Sequence, residues 1–214
     1  MPHIPSAPTT ALEVLSFAEA LETKTETPDY DRSRWLYVPD FYSEYRYILG
    51  TRGERPLITL GERPLITLGV NPSTAAPGAL DNTLKSVQRI AAGNGFDSFI
   101  MFNVYAQRAT SPDDMDRTLN PRLHAENLKA LRWLLERTPS PVLWAAWGAV
   151  IEKRAYLPGC VRDFLALGEE YGAKWVQAGQ PSKKGHPHHP LYLKKDSVLY
   201  PFNVGAYLET LTNP

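Results

Sequence analysis

The feature that most constrains this chain is a repeated alternation of short, β-branched apolar runs with longer segments of helical periodicity. "PLITLGV" reads as a strand, and "DNTLKSVQRIAAGNG" as a capped amphipathic helix ending in glycine. "FDSFIMFNV" and "NPRLHAENLKALRWLLERT" repeat the pair. "PVLWAAWG" is a third strand with "AVIEKRAYL" beginning another helix, "AKWVQAG" a short fourth strand, and "NVGAYLETLTN" a closing helix. Such alternation predicts an α/β fold in three layers, with helices on both faces of a central, mainly parallel, four-stranded sheet. Ligands of these sheets bind beyond the carboxyl ends of the strands, so the residues just after each strand carry the functional question.

Upstream, residues 1–30 are rich in Pro, Thr and Glu, with one short helix in "ALEVLSFAEALE". They read as a peripheral arm, and residues 31–214 as one domain, in keeping with the chain length. Residues 34–49 are dense in aromatics and have room for an edge strand. "GERPLITL" then occurs twice in direct tandem, at residues 53–60 and 61–68. The period is even, so sliding by one copy leaves every side chain facing the same way, and either copy can supply the strand that feeds Gly69. Two copies make no solenoid, which leaves a local duplication.

Charge is balanced, with 23 basic and 23 acidic residues. That counts against a dedicated non-specific DNA binder but leaves room for a local basic face. The best stretch is "PSKKGHPHHPLYLKK", where Lys183, Lys184, Lys194 and Lys195 surround a histidine cluster as contacts for a nucleic-acid backbone. The single cysteine, Cys160, excludes an internal disulfide and any all-cysteine metal site, and reads as a small buried residue. No apolar run approaches the ~20 residues of a membrane helix. The N-terminus lacks a basic head followed by an apolar stretch, so a monomeric cytoplasmic protein without membrane partner, metal or cofactor is expected.

The strand ends supply the candidate site. "GVNPSTA" places Asn71 after a glycine and before a stiffening proline, as a carboxamide held at a pocket mouth or as plain turn chemistry. Ser73 and Thr74 share that turn and are grouped with substrate binding. Asn103 ends the second strand, where its donor and acceptor suit the edge of a base, and Arg108 and Thr110 follow at phosphate reach. Asp81 stands where a helix begins, as its N-cap or as a pocket carboxylate. Trp144 and Trp147 read as packing, and Gly148 as the strand-to-helix crossing. In "GHPHHPLY" the prolines hold the chain extended, so His186, His188 and His189 diverge rather than converge on a metal. Hydrogen-bond donation to developing negative charge fits His186 better, with His189 beside the substrate.

Taken in order, these motifs resemble the uracil-DNA glycosylase superfamily. "GVNPS" is similar to its first motif, in the Asn form of the mismatch-specific uracil/thymine enzymes. "FIMFNV" resembles the strand whose terminal Asn reads uracil, "LWAAWGAVIEK" the Leu-Trp-Gly segment, and "GHPHHPLY" the His-Pro-Ser-Pro-Leu-Ser motif with one residue inserted. "GVNPSTA", "QRAT" and "GHPHHPLYL" look closer still to a bacterial and phage family of that superfamily catalogued as a domain of unknown function. The resemblance implies a glycosylase-like domain in which Asn71 orients the attacking water, Asn103 reads a flipped pyrimidine and His186 stabilises the departing base. Tyr105 or Phe102 would stack on the base. The chain departs from the pattern at Asn71, where the most active enzymes carry a carboxylate, and at Ser73, where they carry a tyrosine that excludes thymine. It departs again at Tyr192 in place of a backbone-pinching serine. The expected function is therefore N-glycosidic hydrolysis of a uracil-like or modified pyrimidine in DNA. A non-catalytic nucleic-acid or nucleotide-binding module, and an enzyme acting on a free nucleoside or nucleotide, are the alternatives.

Overall fold

The computed structural model describes residues 1–53 and 63–211. After a short helix, α1 (Phe17–Glu22), the chain enters a sheet with β1 (Trp35–Val38) and β2 (Ile48–Thr51). There follow β3 (Pro64–Gly69), α2 (Asn82–Gly93), β4 (Ser98–Asn103), α3 (Pro121–Glu136) and β5 (Val142–Ala145). The chain closes with α4 (Leu157–Glu170), β6 (Lys174–Ala178), β7 (Leu199–Pro201) and α5 (Val204–Thr210). The strand order is β1-β2-β4-β3-β5-β6-β7.

The four strands expected from the sequence form the parallel centre, β4-β3-β5-β6. The expected four-stranded sheet is corrected to a mixed, seven-stranded one, because β1 and β2 extend one edge and β7 the other, all antiparallel to their neighbours. These additions lack a pattern of their own. β1 is buried at all four positions without alternation, and β7 is three residues ending in proline. Only the pairing partner distinguishes them from loop. The repeat copy at residues 61–68 supplies β3, whereas the copy at residues 53–60 lies, after Gly53, outside the described residues.

β3 and β4 are buried at every position, as strands covered on both faces must be. On one face Ile66, Leu68, Ile100 and Phe102 pack with Phe17, Leu131, Phe164 and Tyr207 from α1, α3, α4 and α5. On the other, Leu65, Phe99, Met101 and Trp144 lie against Leu84, Val87 and Ile90 of α2. Asp81 caps α2, its carboxylate accepting from the Leu84 amide at 2.9 Å. Asn120 caps α3, with Pro121 in its first turn. The helix expected to begin within "AVIEKRAYL" is instead a 3-10 turn, Gly148–Glu152, and α4 starts only at Leu157. Gly148 takes φ +60°, which breaks the entry into regular helix.

The N-terminal residues are tied to the body. Buried Asp116 accepts from the Thr9 amide at 3.1 Å, the Tyr105 hydroxyl at 2.7 Å and Gln107 Nε2 at 3.2 Å. Trp144 and Trp147 are fully buried. No helix among the described residues is long and apolar enough to cross a membrane.

Candidate functional site

The chain leaves β3 through α2 on one face of the sheet, and leaves β5 through α4 on the other. That divergence opens a crevice beyond the carboxyl ends of these two adjacent strands, where ligands of open α/β sheets bind. A cleft of about 580 Å³ occupies it. One wall is the turn Gly69–Val70–Asn71 with Ser73, and the opposite strand end contributes Gly148, Ala149 and Val150. Asp81, Thr83 and Leu84 bring in the start of α2, while His186, His188, His189 and Tyr192 close the side. Met101, Thr110 and Arg46 also line it.

Asn71 is half-buried, and its orientation is determined by its neighbours. Its Nδ2 donates to the carbonyls of Ala109, at 2.7 Å, and Pro72, at 3.0 Å. Two carbonyls around one end of a carboxamide leave only one sensible flip. Both amide hydrogens are engaged, and Oδ1 remains as a rigidly placed acceptor. The following turn is clamped from behind by Arg108, which is fully buried. Its guanidinium donates to the carbonyls of Ser43 at 3.0 Å and Ala75 at 3.2 Å, to the Ser73 carbonyl, and to the Tyr37 hydroxyl at 2.9 Å.

His186 is 2 % exposed. Its Nδ1 lies 2.9 Å from the Tyr207 hydroxyl, which itself accepts from Trp147 Nε1 at 3.3 Å. A Tyr207 hydroxyl that donates to Nδ1 leaves the ring proton on Nε2, the tautomer in which that nitrogen is a donor. That Nε2 has no hydrogen-bond partner, and the carboxylate of Glu152 stands 3.6 Å away. His189 caps the short turn Pro190–Tyr192, and burial holds its imidazole below the usual range. Gly148 faces this segment, and a Cβ there would make ordinary contact with that of His189 at 3.4 Å, so its φ of +60° rather than crowding is what favours glycine.

The structure thus brings Asn71, Ser73, Asp81, Thr110, His186 and His189 to one cleft. It does not bring the other expected residues there. Tyr105 is fully buried in the Asp116 network and Phe102 packs edge-on against Phe164, so neither faces the cleft. Arg108 and Thr74 are not part of the lining, and Lys183, Lys184 and Lys194 are exposed on the flanking loops. Asn103 is 1 % exposed and lies behind Gly69, where an added Cβ would come within 3.0 Å of its Nδ2. Among the described residues no three His, Cys, Asp or Glu side chains gather in metal-ligating geometry.

Among the lining residues that the sequence did not single out, Arg46 is the charged one. Arg46, two positions before β2, is 1 % exposed and reaches the cleft, donating to the Ala75 carbonyl at 3.0 Å and to Asn103 Oδ1 at 3.3 Å. It makes no ion pair with a carboxylate among the described residues, and burial together with Arg108 pulls its pKa down to about 9. The only signal available was a charged residue inside the aromatic run "YRYIL".

A family model described as a protein of unknown function, DUF1643, matches residues 46–191, more than half of the chain. The chain belongs to the DUF1643 family. No curated protein and no solved structure matches it. The DUF1643 stretch opens at Arg46 and takes in every residue of the cleft lining except Tyr192.

Proposed function

We propose that the cleft receives a pyrimidine base drawn out of a DNA strand and that the chain hydrolyses its N-glycosidic bond, as the resemblance to uracil-DNA glycosylases implies. The observation that carries the reading is how two side chains are held. Asn71 presents a bare acceptor because both amide hydrogens are engaged, and His186 holds an unpartnered Nε2, which is a donor in the tautomer where Tyr207 donates to Nδ1. Cleavage needs both kinds of group. Water adds to C1′ as the C1′–N bond breaks, the bonding pair leaves with the base, and the water's proton ends on the base. Asn71 Oδ1 accepts from and orients the water, and His186 donates to the base oxygen where negative charge gathers. Asp81, in the same lining, offsets positive charge on the sugar. The three-layer arrangement and its parallel four-stranded centre fit a uracil-DNA glycosylase-like fold.

A base-release assay tests this. Single- and double-stranded oligonucleotides carrying uracil, mismatched thymine or oxidised pyrimidines are treated with the chain, and alkali cleavage reports abasic sites. Cleavage that disappears in Asn71→Ala and His186→Ala, with the fold intact, is the expected result. No cleavage on any substrate sinks the enzyme reading for these bases. One observation favours a second reading, a binding module for nucleotides: the Asp81 carboxylate is engaged in capping α2, and Asn71 cannot act as a general base. Binding without turnover would single it out.

A further inference from the structure

Charge at the floor of the cleft does not balance. Arg46 and Arg108 are both fully or almost fully buried, and both donate to the same acceptor, the Ala75 carbonyl, at 3.0 and 3.2 Å. Two guanidinium groups sharing one carbonyl oxygen repel each other in a medium that screens poorly. Neither forms an ion pair with a carboxylate among the described residues. Asp81 is the one carboxylate in the cleft lining; it stands beyond ion-pair distance from Arg46 and caps α2. Burial of a cation is ordinarily matched by a carboxylate partner, and here neither guanidinium has one among the described residues.

The two arginines differ in what they have left to offer. Arg108 is occupied along its whole fork, by three backbone carbonyls and a tyrosine hydroxyl, and it does not line the cleft. Arg46 lines the cleft, and its Nε, buried from solvent, has no hydrogen-bond partner. The amide Nδ2 of Asn103, beside it, is a second buried donor without a partner. The start of α2, a twelve-residue helix, enters the same cleft through Asp81, Thr83 and Leu84, its N-terminus already capped by the Asp81 carboxylate. Two unmatched donors, Arg46 Nε and Asn103 Nδ2, thus lie side by side at and just behind the cleft wall.

We propose that Arg46 is the anion-recognising residue of this cleft and that the natural ligand carries a phosphate, which the Arg46 guanidinium binds at the cleft floor. This rests on the cleft being the ligand site of the proposed function but not on any turnover there. It names the substrate class more narrowly, as a phosphorylated nucleotide, free or within a strand, rather than a bare base or nucleoside. Arginine suits the task because its planar fork keeps its charge and can hold a phosphate oxygen while still tying Ala75 and Asn103.

The test is calorimetric binding by the full chain of thymidine, thymidine 5′-monophosphate and the thymidine dinucleotide, with inorganic phosphate titrated against chloride at matched ionic strength. A tenfold or greater preference for the phosphorylated ligands over thymidine is expected in the wild-type chain, collapsing toward unity in Arg46→Met. Stronger binding of the monophosphate than of the dinucleotide would mark a free nucleotide, and the reverse a strand. Equal affinity for thymidine and its phosphorylated forms overturns the proposal, as does binding of neither, or a preference undiminished in Arg46→Met. Should Arg46→Met fail to fold, inorganic phosphate must shift the arginine Nε–H resonance that Arg46→Lys removes, and an unmoved resonance overturns the proposal as well. Base release and phosphate preference are read separately: a chain that keeps the phosphate preference but cleaves no oligonucleotide sinks the proposed function and leaves this proposal standing.

Discussion

A carboxamide has no proton to titrate, so what Asn71 contributes depends on which way it is turned. Its two donors meet the carbonyls of Ala109 and Pro72. Asn71→Asp sets an anion against those two oxygens. We expect it to cost about 2–3 kcal/mol of stability at neutral pH, from two lost hydrogen bonds and the repulsion that replaces them. Thermal denaturation beside Asn71→Ala checks this, and a Tm equal to the alanine variant's would refute it. Cys160 allows a second prediction at this scale. Its side chain is 1 % exposed and burial pushes its thiol up to about 12, so the folded chain should resist iodoacetamide at pH 7.5 and react once unfolded, as mass spectrometry would show. Asn71 and Asp81 were legible because they follow a strand or precede a helix, where short side chains reach the cleft directly, and His186 because it stands in a proline-flanked histidine run. Arg46 escaped notice because its position in sequence says nothing of where a long side chain ends.

At the level of elements, the tandem repeat makes the sharpest prediction. Thr51 ends β2 close to Phe99, with the Thr51 hydroxyl accepting from the Phe99 amide at 3.3 Å, while Pro64 pairs with Ser98. The gap between these ends is therefore roughly two strand spacings, on the order of 10 Å. Deleting residues 53–60 leaves four residues to cross it, and four extended residues span about 13 Å. The shortened chain should fold with β3 unchanged and Tm within about 2 °C of the full chain; loss of the fold would show that the upstream copy is needed. Asp81→Ala removes the cap of α2 and should cost about 1 kcal/mol in urea denaturation, separately from any effect on the cleft. Strands β3 to β6 could be read in advance because each is long or apolar enough to carry its own pattern. At one edge the aromatic run at residues 34–49 signalled a strand, which is β1, but not the pair it forms with β2, and β7 carried no signal, since an antiparallel addition is defined by the neighbour it finds.

At the level of the whole molecule, the N-terminal arm is held to the body at Asp116, whose carboxylate gathers Thr9, Tyr105 and Gln107 in the protein interior. Asp116→Ala strands those donors away from water. It should lower stability by about 3 kcal/mol, a fall in Tm on the order of 10 °C, and release the first residues to limited proteolysis. A Tm within 2 °C of wild type would show that the arm is not an integral part of the fold. The sequence alone determined the α/β class, the parallel centre, the cap at Asp81 and the cluster of polar residues at strand ends, because all of these are written in local periodicity and turn chemistry. Only the tertiary structure decided the seven-strand sheet, the withdrawal of Asn103, Tyr105 and Arg108 from the cleft lining, and the arrival of Arg46 in it. The physical reason is the same in each case. Which groups end up desolvated together depends on contacts between residues far apart in the chain, and no local pattern encodes the balance of charge among them.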